Sequence, residues 1–315
     1  MKILITGAAG NLGTFLSQHL LPTSHFLNLL VHNTPLPFDV SDNNNAAIFT
    51  GDLAESDSLH PACQGVDCIV HFAGVLFQPF PERFLPITNM IYFKNLVDVA
   101  RRTKVKKVIL ISFPHVEGES TPDEPARGGL DGQPNSIHAQ TRLEAEKYLI
   151  QQAEGSNIVA VVLRPGMIYG RGVLMIETAR WLLARRLLGI WPEPTWIHLL
   201  ALPDFLSAVT GAIENPQVSG IYNLGDDRPT TLQVFLDSFA DHCGYPKPWR
   251  APRWLFPLAG RMTEVGAWLL NKPAPLTRDF IRIGMVSYVG NIERMKEDLL
   301  PELEYPDLKQ GLGLL

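Results

Sequence analysis

The chain has 315 residues, 46% of them hydrophobic and 19% charged, with a formal net charge of −5. That length suits two lobes or one domain with a substantial cap, and the apolar content supplies a sizeable core, which excludes a disordered protein. A weakly acidic chain without a long basic run also excludes non-specific nucleic-acid binding through phosphate neutralisation.

In chain order, a short apolar strand at 2–6 (KILIT) runs through TGAAGNLG into a helix at 11–20. Further strands are predicted at 26–31, 67–72, 106–112 and 157–163, with a weaker one at 46–49. Helical patterns at 56–64, 83–103 and 136–153 lie between them. Repeated strand–helix units imply a parallel sheet covered on both faces, an α/β protein with a Rossmann-type doubly wound sheet. After residue 165 the pattern changes to longer helices broken by Pro, and all six tryptophans follow residue 180. Two β-like runs, TWIHLL and GIYNLG, are expected to return to the first sheet or its edge. The expected domains are therefore 1–165, dinucleotide-binding, with 196–224 returning to it. Segments 166–195 and 225–315 form a smaller, interleaved, mainly helical substrate lobe.

The apolar run in MKILITGAAG is too short for a signal-peptide core, and WLFPLAGRMTEVGAWLL is broken by Arg261 and Glu264, which argues against a membrane span. Cys63, Cys68 and Cys243 fit neither a disulfide framework nor a zinc site. They read as buried or incidental thiols, no metal is expected, and the expectation is a soluble cytoplasmic protein.

Gly7, Gly10 and Gly13 are spaced three apart between a strand and a helix. Such glycines let the backbone approach a pyrophosphate, whose charge then sits on the helix N-terminus. The bland alternative is a tight turn. An acid near the end of the second strand would favour NAD, and an Arg would favour NADP. That strand ends at Val31-His32-Asn33, which supplies neither. NAD or NADP therefore stays open.

These features, with several further landmarks, resemble the extended short-chain dehydrogenase/reductase family, the NAD-dependent epimerases and dehydratases, over nearly the whole chain. TGAAGNLG resembles the family's glycine loop, Gly51-Asp52-Leu53 its adenine-side pair, and His71-Phe72-Ala73-Gly74 its cofactor-lining fourth strand. Asn89 sits where the family keeps a structural Asn, and Arg164-Pro165-Gly166 resembles its strand-six exit. The resemblance implies cofactor contacts at Gly7, Gly10, Asn11, Leu12, Gly13, His32, Asn33, Asp52, Leu53, Phe72, Ala73, Gly74, Arg142 and Pro165.

The family's chemistry uses a Tyr, a Lys four residues later, and a Ser or Thr. In SIHAQTRLEAEKYL, His138 occupies the Tyr position and Arg142 the Lys position. Phe113 takes the hydroxyl position, with Ser112 just before it. A free imidazole titrates near pH 6.5 and exchanges protons without strong perturbation, while a guanidinium stays cationic and donates to ribose hydroxyls. His138, Arg142 and Ser112 are the catalytic candidates, with His115 or Tyr169 as other sources of a substrate hydrogen bond. Alternatively His138 only caps or lines the helix, and Arg142 pairs with Glu146 at helical spacing.

In PKPWRAPRWLFPLAG, Arg250 and Arg253 stand among aromatics, suited to a phosphate group and a base. The tryptophan-rich second lobe equally suits an apolar substrate or is simply core. The long loop PHVEGESTPDEPARGGLDGQPN suits a mobile lid or a passive surface loop. The expected function is an NAD(P)-binding oxidoreductase or nucleotide-sugar epimerase or dehydratase with a non-standard His/Arg pair. The alternatives are a catalytically inactive dinucleotide sensor and a dehydrogenase of sterol- or isoprenoid-like substrates. The expected partner is a small molecule, either a nucleotide sugar or an apolar alcohol or ketone. A homodimer is left open.

Overall fold

The computed structural model describes residues 1–75, 78–270 and 277–315, Leu270 without its side chain. Strands β1 (Lys2–Thr6), β2 (Phe26–Val31), β3 (Ala46–Thr50), β4 (Cys68–His71), β5 (Lys107–Ile111) and β6 (Val159–Pro165) join the Gly220–Leu224 strand in one seven-stranded sheet. Every neighbouring pair is parallel, in the order Gly220–Leu224, β6, β5, β4, β1, β2, β3. Strands covered on both faces need apolar residues at consecutive positions, and β1 and β5 are such runs. Alternate residues serve opposite layers. Ile3, Ile5, Ile109 and Ile111 enter one core with Leu16 and Leu20 of α1 (Asn11–Leu20) and with the Leu202–Glu214 helix. Leu4, Val108 and Leu110 enter the other with α2 (Ser56–Cys63), α3 (Tyr92–Arg102) and α4 (Ile137–Ala153). The strand order reverses between β1 and β4, so the crevice beyond their carboxyl ends is where such sheets place ligands.

Two expectations change. The helix expected over 83–103 is a 3-10 turn at Pro81–Arg83, a π-helical turn at Pro86–Ile91, and then α3. Pro86 lacks an amide hydrogen, so it ends one hydrogen-bond ladder, and the π turn adds a residue before the next begins. Of the two runs expected to return to the sheet, Gly220–Leu224 joins β6, but Trp196–Ala201 does not reach it. Trp196–Ile197 pairs antiparallel with Thr230–Thr231, and Leu199–Ala201 runs parallel to Met167–Tyr169. Among the described residues no helix is long and apolar enough to cross a membrane.

Helix α4 is fastened to the sheet by buried charge. Glu146 is fully buried, and both its oxygens accept from Arg164 Nε of β6, at 3.1 and 3.2 Å. Arg164 also pairs with Glu117 and donates to the Gly129 carbonyl at 2.8 Å. Glu117 in turn accepts from the Arg127 and Gly128 amides at 3.0 and 2.8 Å. The 114–135 loop is tied again where Ser120 and Ala126 donate to the Ser287 and Val289 carbonyls, at 3.0 and 2.8 Å. It is a fastened strap, which does not fit the mobile lid its length suggests. Replacing Arg164 by Met should destabilise the protein by about 3–5 kcal/mol in denaturant titration, because Glu146 and Glu117 lose their counter-charge. A loss below about 1 kcal/mol means that the cluster is already compensated by water.

Candidate functional site

The glycine loop closes on itself. Gly7 takes φ of +72°, a left-handed conformation that a side chain resists, and a Cβ there would lie 2.8 Å from the Ala73 amide nitrogen. A Cβ on Gly13 would lie 2.2 Å from the Gly7 carbonyl oxygen. The β1–α1 turn is therefore packed directly against the segment after β4. Gly10 caps α1 without a side-chain hydrogen bond, and no acidic residue stands in the first turn. Its first amides are left for an anion, and the dipole favours one. Asn11 is otherwise engaged: its amide donates to the Gly172 carbonyl and its oxygen accepts from Leu174, both at 2.9 Å. Leu12 packs on the core, and Asn33 is exposed.

At the far edge of the crevice the acid missing from the end of β2 comes from the next strand. Asp52, just beyond β3, sets Oδ2 3.6 Å from His32 Nε2. No pattern in β2 reveals this, because the two residues meet only through the parallel register of β2 with β3. Leu53 packs on the core beside α2, and Phe72 lies edge-on to Phe205 with ring centroids 6.2 Å apart.

On the other side, α4 brings His138 and Arg142 together one turn apart, and both are buried. The Arg142 guanidinium lies against Gly74, where a Cβ would be 2.8 Å from Nη2. It has no carboxylate within ion-pair distance among the described residues, and its Nη1 is buried without a hydrogen-bond partner. The expected Arg142–Glu146 pair is absent because Glu146 belongs to Arg164. Burial pulls Arg142 down to about 10, against the weaker opposing pull of Glu146, so it remains a cation at neutral pH.

That cation, together with burial, governs the histidines around it. His138 is lowered to about 3 by burial first, then by Arg142 and His115. His71 at the end of β4 is lowered to about 3 by burial and by Arg142, and its Nδ1 shares a 2.7 Å hydrogen bond with the Thr6 hydroxyl. His115 is lowered to about 4 by burial, with Nε2 3.1 Å from the Val286 carbonyl. All three are neutral at physiological pH.

The hydroxyl position confirms none of the simple substitutes. Phe113 turns its ring edge-on to His138, centroids 4.8 Å apart, and stacks on His115 at 5.2 Å. Ser112 donates its hydroxyl proton to Glu146 and serves the buried cluster. Tyr169 lies elsewhere, its ring against Phe235 and its hydroxyl against Gly311. Pro165 ends β6 and is buried.

Two residues come from distant sequence. Asp279 accepts from the Ile137 and His138 amides at 3.1 and 3.3 Å, so a later helix (Arg278–Gly284) caps α4 alongside Ser136. Asn89, in the π turn, donates to Thr141 Oγ1 at 2.9 Å, while its own oxygen is buried and unpartnered near Gly74. At the amino end of α4 opens a cavity of about 320 Å³, lined by His115, Ser136, Arg253, Arg282, Ile283 and Met285, among others. Arg250 is not part of it; its guanidinium pairs with Asp237 at 2.7 Å.

Residues 3–225 match the model of the NAD dependent epimerase/dehydratase family. Uronate dehydrogenase of Pseudomonas syringae pv. tomato is 28% identical over 230 residues, which cover 72% of this chain and 75% of that protein. Human sterol-4-alpha-carboxylate 3-dehydrogenase, decarboxylating, is 22% identical over 81% of this chain and 70% of its own. Among solved structures, a UDP-glucose 4-epimerase from Thermotoga maritima with UDP-glucose superposes with a TM-score of 0.77 at 18% identity, covering 100% of this chain and 97% of that one. MoeE5 in complex with UDP-glucuronic acid and NAD superposes at 0.76 and 18% identity, with the same coverage.

The neutral histidines carry a pH signature. A histidine whose folded pKa is depressed contributes stability that is complete above its unfolded pKa, about 6.5, and is lost as pH falls below it. His138→Gln should therefore flatten the fall in unfolding free energy between pH 6 and 4 by about 1.4 kcal/mol per pH unit relative to wild type. Parallel denaturant titrations measure it, and equal slopes would place His138 in contact with solvent.

Proposed function

Because the chain belongs to the NAD dependent epimerase/dehydratase family, we propose that it binds a nicotinamide dinucleotide beyond β1 and β4 and oxidises or reduces a small, negatively charged alcohol or carbonyl compound. The observation that carries the reading is Arg142, a buried cation with an unpartnered Nη1 beside the glycine loop. Leaving such a group unpaired is costly, and a bound ligand oxygen is the partner it lacks. The fit elsewhere is good: Gly7, Gly10, Gly13 and the open amides of α1 would hold the pyrophosphate. Asp52 with His32 would face a ribose, and Phe72, Ala73, Gly74 and Pro165 would line the nicotinamide side. The bound dinucleotide supplies the hydride donor or acceptor.

The chain's own residues then do three things. Arg142 donates to ribose or substrate oxygen through a fixed positive charge. His138, neutral with its imidazole packed on Phe113, donates a hydrogen bond to a substrate oxygen; an imidazolium acid is excluded by its low pKa. Ser112 acts only through Glu146, steadying α4. The substrate would occupy the cavity that Arg253 and Arg282 line. Its volume lies at the small end for a ligand site, which favours a compact acid over a whole nucleotide sugar. The names of two relatives, uronate dehydrogenase and sterol-4-alpha-carboxylate 3-dehydrogenase, share a carboxylate. A binding-only role is the second reading, favoured by the engagement of Ser112 with Glu146.

Calorimetry with NAD and NADP tests the cofactor site. Wild type should bind at least one of them, and Arg142→Gln should weaken binding about tenfold, or about 1.4 kcal/mol. No binding of either cofactor by wild type overturns the reading. For turnover, uronic and other hydroxy acids are screened by nicotinamide absorbance. The rate should show no limb near pH 6.5, because His138 does not titrate there. A limb at 6–7 that His138→Gln removes would mean that His138 works as an ordinary acid or base. Cofactor binding without turnover on any acid tested would favour the binding-only reading.

A further inference from the structure

Among the described residues, the Leu255–Leu270 helix buries one face. Phe256, Gly260 and Glu264, four apart, form its inner row. A Cβ on Gly260 would lie 2.6 Å from Ile281 Cδ1, and Glu264 accepts from Arg278 Nε at 2.7 Å and from its amide at 2.9 Å. The opposite face carries Trp254, Leu258, Met262, Val265, Trp268 and Leu269, all exposed, with Trp254, Met262 and Leu269 each at about 70%. Steps of three and four residues put these side chains on one stripe, about 20 Å long at the rise of a helix. Ordinary surfaces scatter large apolar side chains singly, so a continuous stripe marks something that covers it.

The charge around the stripe identifies the cover. From Tyr245 to Gly284 the only acids are Glu264 and Asp279, and both are buried, at 1% and 9% exposure. Arg253, Arg261 and Arg282 are exposed in the same stretch. A chain with a net charge of −5 thus presents here an apolar face within a stretch whose exposed charges, among the described residues, are all cations. A second copy of the same face would oppose like charges across a two-fold axis, which disfavours self-association. The stripe runs along one helix, with Trp254 just before its start and Trp268 near its end. Those features match a helix lying in the headgroup layer of a bilayer, where indole rings sit at the boundary and arginines reach lipid phosphates.

We propose that this face docks the protein peripherally on an anionic lipid surface, with the Leu255–Leu270 helix in the plane of the interface. The occupant is a bilayer rich in acidic headgroups, and the protein does not span it.

The full chain is sedimented with extruded vesicles of phosphatidylcholine alone and of an equal mixture of phosphatidylcholine and phosphatidylglycerol. Tryptophan emission is recorded in parallel. The expected result is binding to the mixed vesicles with a blue shift, weakened by added salt. Met262→Glu with Leu269→Glu, two exposed positions outside the proposed active site, should lower vesicle binding more than tenfold and leave the melting temperature unchanged. Arg261→Glu should lower it as well. Three outcomes overturn the proposal: no binding by the wild type, equal binding to uncharged vesicles, or unaltered binding by the double variant. So does a dimer in sedimentation velocity that the double variant dissolves, since the face would then belong to a second copy.

Discussion

The pairing of Glu146 with Arg164 decides how the rest of the site is built. A carboxylate with no exposure, at the centre of α4, is tolerable only with a counter-ion and filled hydrogen bonds. Burial still raises its pKa, with Arg164 and Ser112 opposing that rise. Arg164 comes from β6, Ser112 follows β5, and Glu117 comes from the loop between β5 and α4. One cluster thus joins the helix, two strands and the loop, and it sets which face of α4 looks into the crevice.

That arrangement leaves Arg142 as the odd charge. With Glu146 already engaged, its cation is balanced only at longer range, and it adds to the burial that keeps His71 and His138 uncharged. His71, His115 and His138 are shifted in the same direction with burial as the leading cause, and Arg142 adds to the shift of two of them. On α4 and its neighbours one buried cation and several neutral rings suit hydrogen-bonding to the anion proposed above. They are poorly set up to exchange protons near neutrality.

The sheet was legible because strands buried on both faces must be apolar throughout, and 2–6, 26–31 and 106–112 are such runs. The glycine loop was legible because its spacing and its place after the first strand are local. Four features were not. Pro86 lies inside a helix-like apolar period, so the π turn carrying Asn89 looks like uninterrupted helix. The Arg142–Glu146 pair expected from helical spacing is outcompeted by Arg164, a contact between a helix and a strand that no local pattern contains. Asp279 caps α4 from over 140 residues away, and Asp52 meets His32 only through sheet register. Tertiary pairing supplied the last three.

His138, Arg142 and Phe113 are closely packed by their neighbours. Gly74 leaves room for a planar guanidinium: a Cβ there would lie 2.8 Å from Arg142 Nη2, and the guanidinium would have to shift. Phe113 offers its ring to the edge of His138 and its face to His115, an aromatic cage that a Ser or Thr could not make. The Tyr, Lys and hydroxyl positions are those that the sequence resemblance implies for His138, Arg142 and Phe113. Here the first and third positions are filled by rings in contact. The second holds a cation whose Nη1 is buried and unpartnered where the fold brings the glycine loop, β4 and α4 together. These ring contacts and the unpartnered cation are the observations on which the proposed binding of an oxygen-rich anion rests.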